Sequence, residues 1–346
     1  MRKTLLNGLI AAAFAVAGSA QAAPLIFSLD GSGGNVITAT ALDWAQTSFL
    51  ALGGNAAITS FATGGTATTF DVLTHAKLTG YTDSAGNSVA GLGGFTGEIT
   101  VNARFTEKVV GIIPSLGVAF FETTGPGWVE FYYSAAQNSS NVSGSGFTDG
   151  QLIARGTGVS GKFLPVSSGS FDNNTNVSAL DTVAGDNQYT GQLSVNGAGN
   201  QEEIHIGTTG FVVDSNFFKT QIVDFSLFFN NISINLPYSQ VHPSDCFNAA
   251  QGAATDAAIT AGTASGLVSQ CDTAHFNGLM SANSVSTGYV PVIGATNGAF
   301  GGSPDVIAQT DFNSSVTGTV PEPGMLALLG LAFAGLGLAS ARRRKV

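Results

Sequence analysis

Glu98-Ile99-Thr100-Val101-Asn102-Ala103-Arg104-Phe105-Thr106 is the stretch on which the fold turns. Ile99, Val101, Ala103 and Phe105 share one parity, and Glu98, Thr100, Asn102, Arg104 and Thr106 share the other. Successive side chains of a strand point to opposite faces, so this alternation predicts a strand with one face buried and the other wet. Trp128-Val129-Glu130-Phe131-Tyr132 is a second run, rich in the aromatic residues that strands favour. Leu152–Arg155, Gln192–Asn196 and Glu203–Ile206 are shorter candidates. Val223, Phe225, Leu227 and Phe229 alternate with Asp224, Ser226 and Phe228, before Ile232, Ile234 and Leu236 take up the other parity. The change across Asn230-Asn231 predicts a bulge or a two-residue turn. Glycine, serine and asparagine clusters such as Asn138–Gly146 and Asp172–Asn176 separate these runs. Short strands between turns, with no long helices alternating, predict a mainly β fold, an antiparallel β-sandwich or jelly-roll-like domain. No period of about 20 to 50 residues repeats, which argues against a solenoid or propeller. After Pro237 the chain changes character, and the small-residue stretch Ala249–Ser269 reads as a weak helix or a long loop.

Composition narrows the function classes. Charged residues make up 10% of the 346, far below the usual quarter, while 44% are hydrophobic, enough to bury a core. A formal net charge of −10 leaves no phosphate-neutralising stripe and excludes a nucleic-acid partner. With Arg2, Lys3, Arg342, Arg343, Arg344, Lys345 and Glu322 set aside, 6 basic and 21 acidic residues remain, a formal charge of −15. Such a body is solvated mainly by hydroxyl, amide and glycine groups.

The two ends carry addresses. Arg2 and Lys3, the apolar run Leu5–Ala17 and the small-x-small site Ala20-Gln21-Ala22 follow the order of a secretory signal peptide, residues 1–22, with a mature chain starting at Ala23. At the other end Pro321-Glu322-Pro323 precedes the apolar run Met325–Ala341 and the basic stop Arg342-Arg343-Arg344-Lys345. The 17 residues of that run reach about 25 Å as a helix, the short limit for crossing a bilayer core. The basic cluster stays cytoplasmic, which leaves the Pro-Glu-Pro segment just outside the membrane. Two prolines hold that segment extended and unable to donate to a neighbouring strand, a form that a processing enzyme can bind.

This tripartite tail, residues 320–346, closely resembles the PEP-CTERM sorting signal of Gram-negative bacteria that make extracellular polysaccharide. The resemblance implies an exosortase as processing partner, a transient stay in the inner membrane as an anchored precursor, and a final place outside the cell or on its surface. Residues 23–319 are then the exported β-rich domain. Leu42-Asp43-Trp44-Ala45, Gly146–Ile153 and Leu236–Ser244 are similar to stretches of flocculation-associated PEP-CTERM proteins. That second resemblance implies a non-catalytic matrix protein that promotes floc or biofilm formation with exopolysaccharide. His242 stands where that family is expected to carry an acidic residue, which puts metal bridging at this position in doubt. A secreted polysaccharide-processing enzyme, or a carbohydrate-binding module with the same sorting signal, is the alternative.

Candidate chemistry in the body is sparse. Cys246 and Cys271 are the only cysteines, and export makes a disulfide between them the default. His242 and His275 complete a His-x3-Cys…Cys-x3-His set that offers zinc two nitrogens and two sulfurs, although the spacing matches no known finger. Gly156-Thr157-Gly158-Val159-Ser160-Gly161-Lys162 contains G-x-G-x-x-G, but Phe163 lacks the hydroxyl for Mg²⁺ and Pro165 blocks the helix that would hold phosphate. Nucleotide binding is therefore rejected. Neither G-x-S-x-G nor H-E-x-x-H occurs, and His75, His205, His242 and His275 are scattered. Glu202 and Glu203 are adjacent and so point to opposite faces of a strand. Asp172, Asn173, Asn174, Asp181, Asp186 and Asn187 supply oxygens that calcium could use, yet no EF-hand spacing orders them and the expectation is a polar loop. No catalytic residue, resident metal or other cofactor is assigned.

Overall fold

The computed structural model of the chain describes residues 23–45, 47–113, 118–124, 127–139, 146–161, 167–170, 197–199, 203–206, 210–233, 255–264 and 306–319. The N-terminal elements are β1 (Leu25–Ser28), β2 (Val36–Trp44), β3 (Thr47–Leu52), α1 (Gly54–Ala62), β4 (Thr69–Asp83) and β5 (Ser88–Ala90). The middle carries β6 (Glu98–Ile113), β7 (Val118–Thr123), β8 (Trp128–Ser134), β9 (Gln151–Thr157), β10 (Val159–Gly161) and β11 (Ser167–Ser170). Then follow β12 (Gly197–Gly199), β13 (Glu203–Ile206), β14 (Phe211–Val213), β15 (Gln221–Ser233), α2 (Asp256–Thr260) and β16 (Val306–Thr319).

The fold is mainly β, and the strands named here pair antiparallel. In place of the β-sandwich or jelly-roll-like domain expected from the strand pattern, the described residues form a single 16-stranded sheet. Its pairings run β4–β6–β7–β11–β12–β15–β16 and return through β3 and β2 to β4, so the ladder closes on itself. Long strands that serve two neighbours along one edge make this closure. β6 pairs with β8 through Glu98–Arg104 and with β7 through Glu107–Ile113, while β4 holds its other edge. Register shifts at Val109/Gly111 on β6 and at Ala39/Ala41 and Asp43/Trp44 on β2 add the local twist that lets a sheet curl.

Pro24–Gly318 group into one compact unit; residues 1–22 and 320–346 lie outside the described residues. Within this unit the core is aromatic. Phe131 packs edge-on against Phe225 at 5.0 Å between ring centroids and also meets Trp44, Phe211 and Phe218. Ile99, Val101, Ala103 and Phe105 of β6 point into this core, as their parity predicts. α1 lays Ala57, Ile58 and Phe61 on it. The supposed break at Asn230-Asn231 is no hairpin turn: β15 runs straight through it and changes partner there, from β13 to β12.

One expectation for β6 is overturned. Glu98, Thr100 and Asn102, read as the wet face, are buried. The turn Gly146–Gly150 covers Thr100 and Asn102 on that outer face, and the segment 255–264 covers the same face on β8 and β9, which makes it a second, polar interior.

Candidate functional site

The outer face of β4, β6, β8 and β9 carries a row of polar side chains in register. Arg155 stands opposite Glu130, Glu130 opposite Asn102, and Asn102 opposite His75. Each lies one strand away from the next, close enough for cross-strand contact. His75 is 1% exposed, and Phe147 stacks on it with ring centroids 3.9 Å apart and an interplanar angle of 19°. The Phe147 carbonyl accepts hydrogen bonds from Thr100 Oγ1 at 2.6 Å and Asn102 Nδ2 at 3.0 Å. Burial lowers the His75 pKa from its ordinary 6.5 to about 3, so the imidazole is neutral at physiological pH.

At the other end of the row Glu130 is 1% exposed. Its Oε1 accepts from Arg155 Nε at 2.7 Å and its Oε2 from the Tyr132 hydroxyl at 2.7 Å. Burial raises the Glu130 pKa above the ordinary value, against the opposing pull of the Tyr132 hydroxyl and the Arg155 guanidinium. Tyr132 is raised well above its usual value, by burial first and by the neighbouring carboxylate second. The cover over this end is α2, whose N-cap Thr255 accepts from the Ala258 amide and whose Ile259 packs with Tyr132, Leu152 and Ala264. The Leu152 amide donates to the Ala264 carbonyl, which ties the segment to β9. Asp256 approaches Arg155 only to 3.9 Å and is 69% exposed, so it adds little. The row thus bonds its charged groups to one another beneath a cover.

Beside the row lies an open groove of about 140 Å³, lined by Lys77, Leu78, Thr79, Leu92, Phe95, Gly97, Glu98 and Gln137. Its wall is the loop Gly91-Leu92-Gly93-Gly94-Phe95-Thr96-Gly97 between β5 and β6. Gly91, Gly93 and Gly94 have positive φ, and these reversals turn Leu92 and Phe95 back toward the core. Gly97 leaves space for the wall: a Cβ there would stand 2.8 Å from the Phe95 ring and 2.6 Å from the Ser134 carbonyl. Glu98 closes one side, with its carboxylate accepting from the Asn138 and Ser139 amides and from Ser139 Oγ at 2.7 Å.

Most residues singled out in the sequence lie outside the described residues: Ala20, Ala22, Cys246, Cys271, His242, His275, Glu202, Asp172, Asn173, Asn174, Asp181, Asp186, Asn187, Pro321, Glu322, Pro323, Arg342, Arg343, Arg344 and Lys345. The apolar run Met325–Ala341 lies outside them as well; among the described residues no helix is long and apolar enough to cross a membrane. Ala23 is described and half-buried. Among the described residues no group of three or more His, Cys, Asp or Glu could hold a metal. The glycine-rich stretch from Gly156 forms the end of β9, a bend at Gly158 with φ +85° and the strand β10, with no helix start among its described residues. Packing explains Gly156, because a Cβ there would fall 2.5 Å from the Phe211 ring. Trp44 belongs to the core, with its indole donating to Ser314 Oγ at 2.8 Å. The turn at 146–150 is built on close approach: a Cβ at Gly146 would lie 2.5 Å from the Asn138 carbonyl, and one at Gly150 would collide with the Tyr133 carbonyl. The polar row and the groove escaped the sequence reading, since cross-strand partners are set by register and no local motif announces them.

The last described strand, β16, ends at Thr319, immediately before Val320, where the tripartite tail begins. The family model for the PEP-CTERM protein-sorting motif matches residues 319–345, so the chain carries the PEP-CTERM signal, which implies processing by an exosortase and export by way of a membrane-anchored precursor. No curated protein and no solved structure matches the chain, so the resemblance of its body to flocculation-associated members gains no support there.

Proposed function

We propose that the chain is a non-catalytic protein of the extracellular matrix that holds cells and exopolysaccharide together in flocs or biofilm. The observation that carries this reading is the sorting motif at residues 319–345, which resembles the address used by bacteria that make extracellular polysaccharide. In this proposal a signal peptide is removed before Ala23, an exosortase processes the tail near Pro321-Glu322-Pro323, and a disulfide joins Cys246 to Cys271. The buried Glu130 and Glu98 support a structural body, because their oxygens are engaged by Arg155, Tyr132, Asn138 and Ser139. A body with a formal charge of −15 adheres by hydrogen bonds, aromatic contact and cation bridges, each weak and added through many copies.

The test is genetic. Deleting the gene is expected to leave growth intact while planktonic cells replace aggregates, and a variant with Pro321, Glu322 and Pro323 changed to alanine is expected to stay uncleaved in the inner membrane. Normal aggregation of the deletion strain would sink the matrix role. Purified protein that depolymerises the exopolysaccharide would favour the enzyme instead.

A further inference from the structure

We propose that the groove between β4 and the Gly91–Gly97 loop is a subsite for one carboxylated monosaccharide residue, a uronate within an acidic polysaccharide; this rests on the matrix role proposed above. Three observations converge on that ligand. The volume of about 140 Å³ is well below the roughly 300 Å³ at which drug-sized pockets begin, so it admits a single sugar ring. Lys77 lines the groove; its backbone carbonyl accepts from the Ala45 amide, but its ammonium makes no hydrogen bond or ion pair among the described residues, in contrast to the charged ends of Arg104, Arg155 and Lys219. Phe95 offers a partly buried ring backed by Tyr133, with centroids 6.3 Å apart.

These groups divide the recognition. A single ammonium suits a monoanion, and a carboxylate on a sugar ring places that charge beside an apolar ring face that can lie on Phe95. Gln137 donates through Nε2 to the Gly97 carbonyl at 3.1 Å, which orients its amide oxygen as an acceptor for a sugar hydroxyl. Glu98, the nearby like charge, is 2% exposed and faces the donors on Asn138 and Ser139. Lys77 is thereby left as the accessible charge of the groove. The acidic body repels a densely charged polymer at long range, so each site holds one residue weakly and retention comes from many copies.

Calorimetric titration of the full chain with glucuronic acid oligomers tests the proposal, with glucose oligomers and inorganic phosphate as the other probes. Glucuronic acid oligomers are expected to bind at least about tenfold more tightly than either comparison probe. Lys77→Gln is expected to lose about tenfold or more of that affinity, because it removes a charge-assisted hydrogen bond. Lys77→Arg is expected to keep most of it, and Phe95→Ala to weaken it while the fold is unchanged by circular dichroism. Undiminished binding by Lys77→Gln, or phosphate binding as tightly as glucuronate, would overturn the subsite. The two proposals fail separately. A chain that binds no glucuronate ends the groove reading and leaves floc retention to other contacts, whereas a deletion strain that aggregates normally ends the matrix role without touching uronate binding.

Discussion

His75 and Glu130 occupy the same buried row and respond to acid with opposite signs. His75 has its pKa lowered by burial from 6.5 to about 3, so the unfolded chain binds a proton at pH values where the folded chain does not. Its contribution is fully present above pH 6.5 and is lost as pH falls toward 3, by about 1.4 kcal/mol per pH unit inside that window. Glu130 is raised by burial, so its contribution is fully present below its unfolded value and declines as pH rises through the folded one. Urea unfolding of the wild type and of His75→Gln at several pH values separates the two. The acid slope between pH 6 and pH 4 is expected to shrink in the variant by about that amount per unit; equal slopes would place the proton elsewhere. The ion pair supplies a second expectation. Arg155→Leu strands a buried carboxylate and is expected to cost about 3–5 kcal/mol, whereas Glu130→Leu combined with Arg155→Leu costs less than the sum of the two single changes. Urea midpoints for the cycle check this.

Among the elements, β6 shows both what its residues disclose and what they do not. The parity of Ile99, Val101, Ala103 and Phe105 identifies the core face correctly, because strand geometry is local. The burial of Thr100 and Asn102 on the other face depends on Phe147, some 45 residues away, whose carbonyl accepts their hydrogen bonds. β4 carries a readable signal in Phe70, Val72, Thr74, Ala76 and Leu78, all buried on one parity, but Leu73 and His75 on the other blur it. β16 also alternates, with Val306, Ala308, Phe312 and Val316 on one parity against Gln309, Asp311, Asn313, Ser315 and Thr317, but Thr310 and Ser314 interrupt the apolar parity and weaken the signal. The small-residue stretch after Pro237 does contain a weak helix, the five-residue α2, stabilised by its cap and by Ile259. Close approach between elements predicts a further result. Gly156→Ala drives a Cβ into the Phe211 ring, which packs on Phe131 and Phe225, and is expected to cost about 1–3 kcal/mol. Thermal unfolding measures it, and an unchanged midpoint would mean that β14 yields freely.

For the whole molecule, closure of the sheet depends on its last described strand. β16 pairs with β3 through Val306–Thr310 and with β2 through Asn313–Ser315, and β15 holds its other edge. Side chains fasten the same seam: Ser314 to the Trp44 indole, 270 residues away in sequence, and Ser315 to Ser226 on β15. Contacts of such separation close long stretches of chain, and their closure entropy must be offset by the pairing that they make. Without β16 the edges of β2, β3 and β15 would be left with unpaired backbone groups, a template for association between chains. The sorting motif begins at residue 319, the final residue of β16, so processing at or beyond Pro321 keeps the closing strand with the body. A chain ended after Thr319 is therefore expected to unfold cooperatively, with stability within about 0.5 kcal/mol of the full chain. One ended before Val306 is expected to lose the cooperative transition and to associate. Near-ultraviolet circular dichroism during denaturation, with light scattering on the same samples, distinguishes them. A cooperative, monomeric transition in the shorter chain would show that the sheet holds together without β16, and that its closure contributes little to the stability of the body.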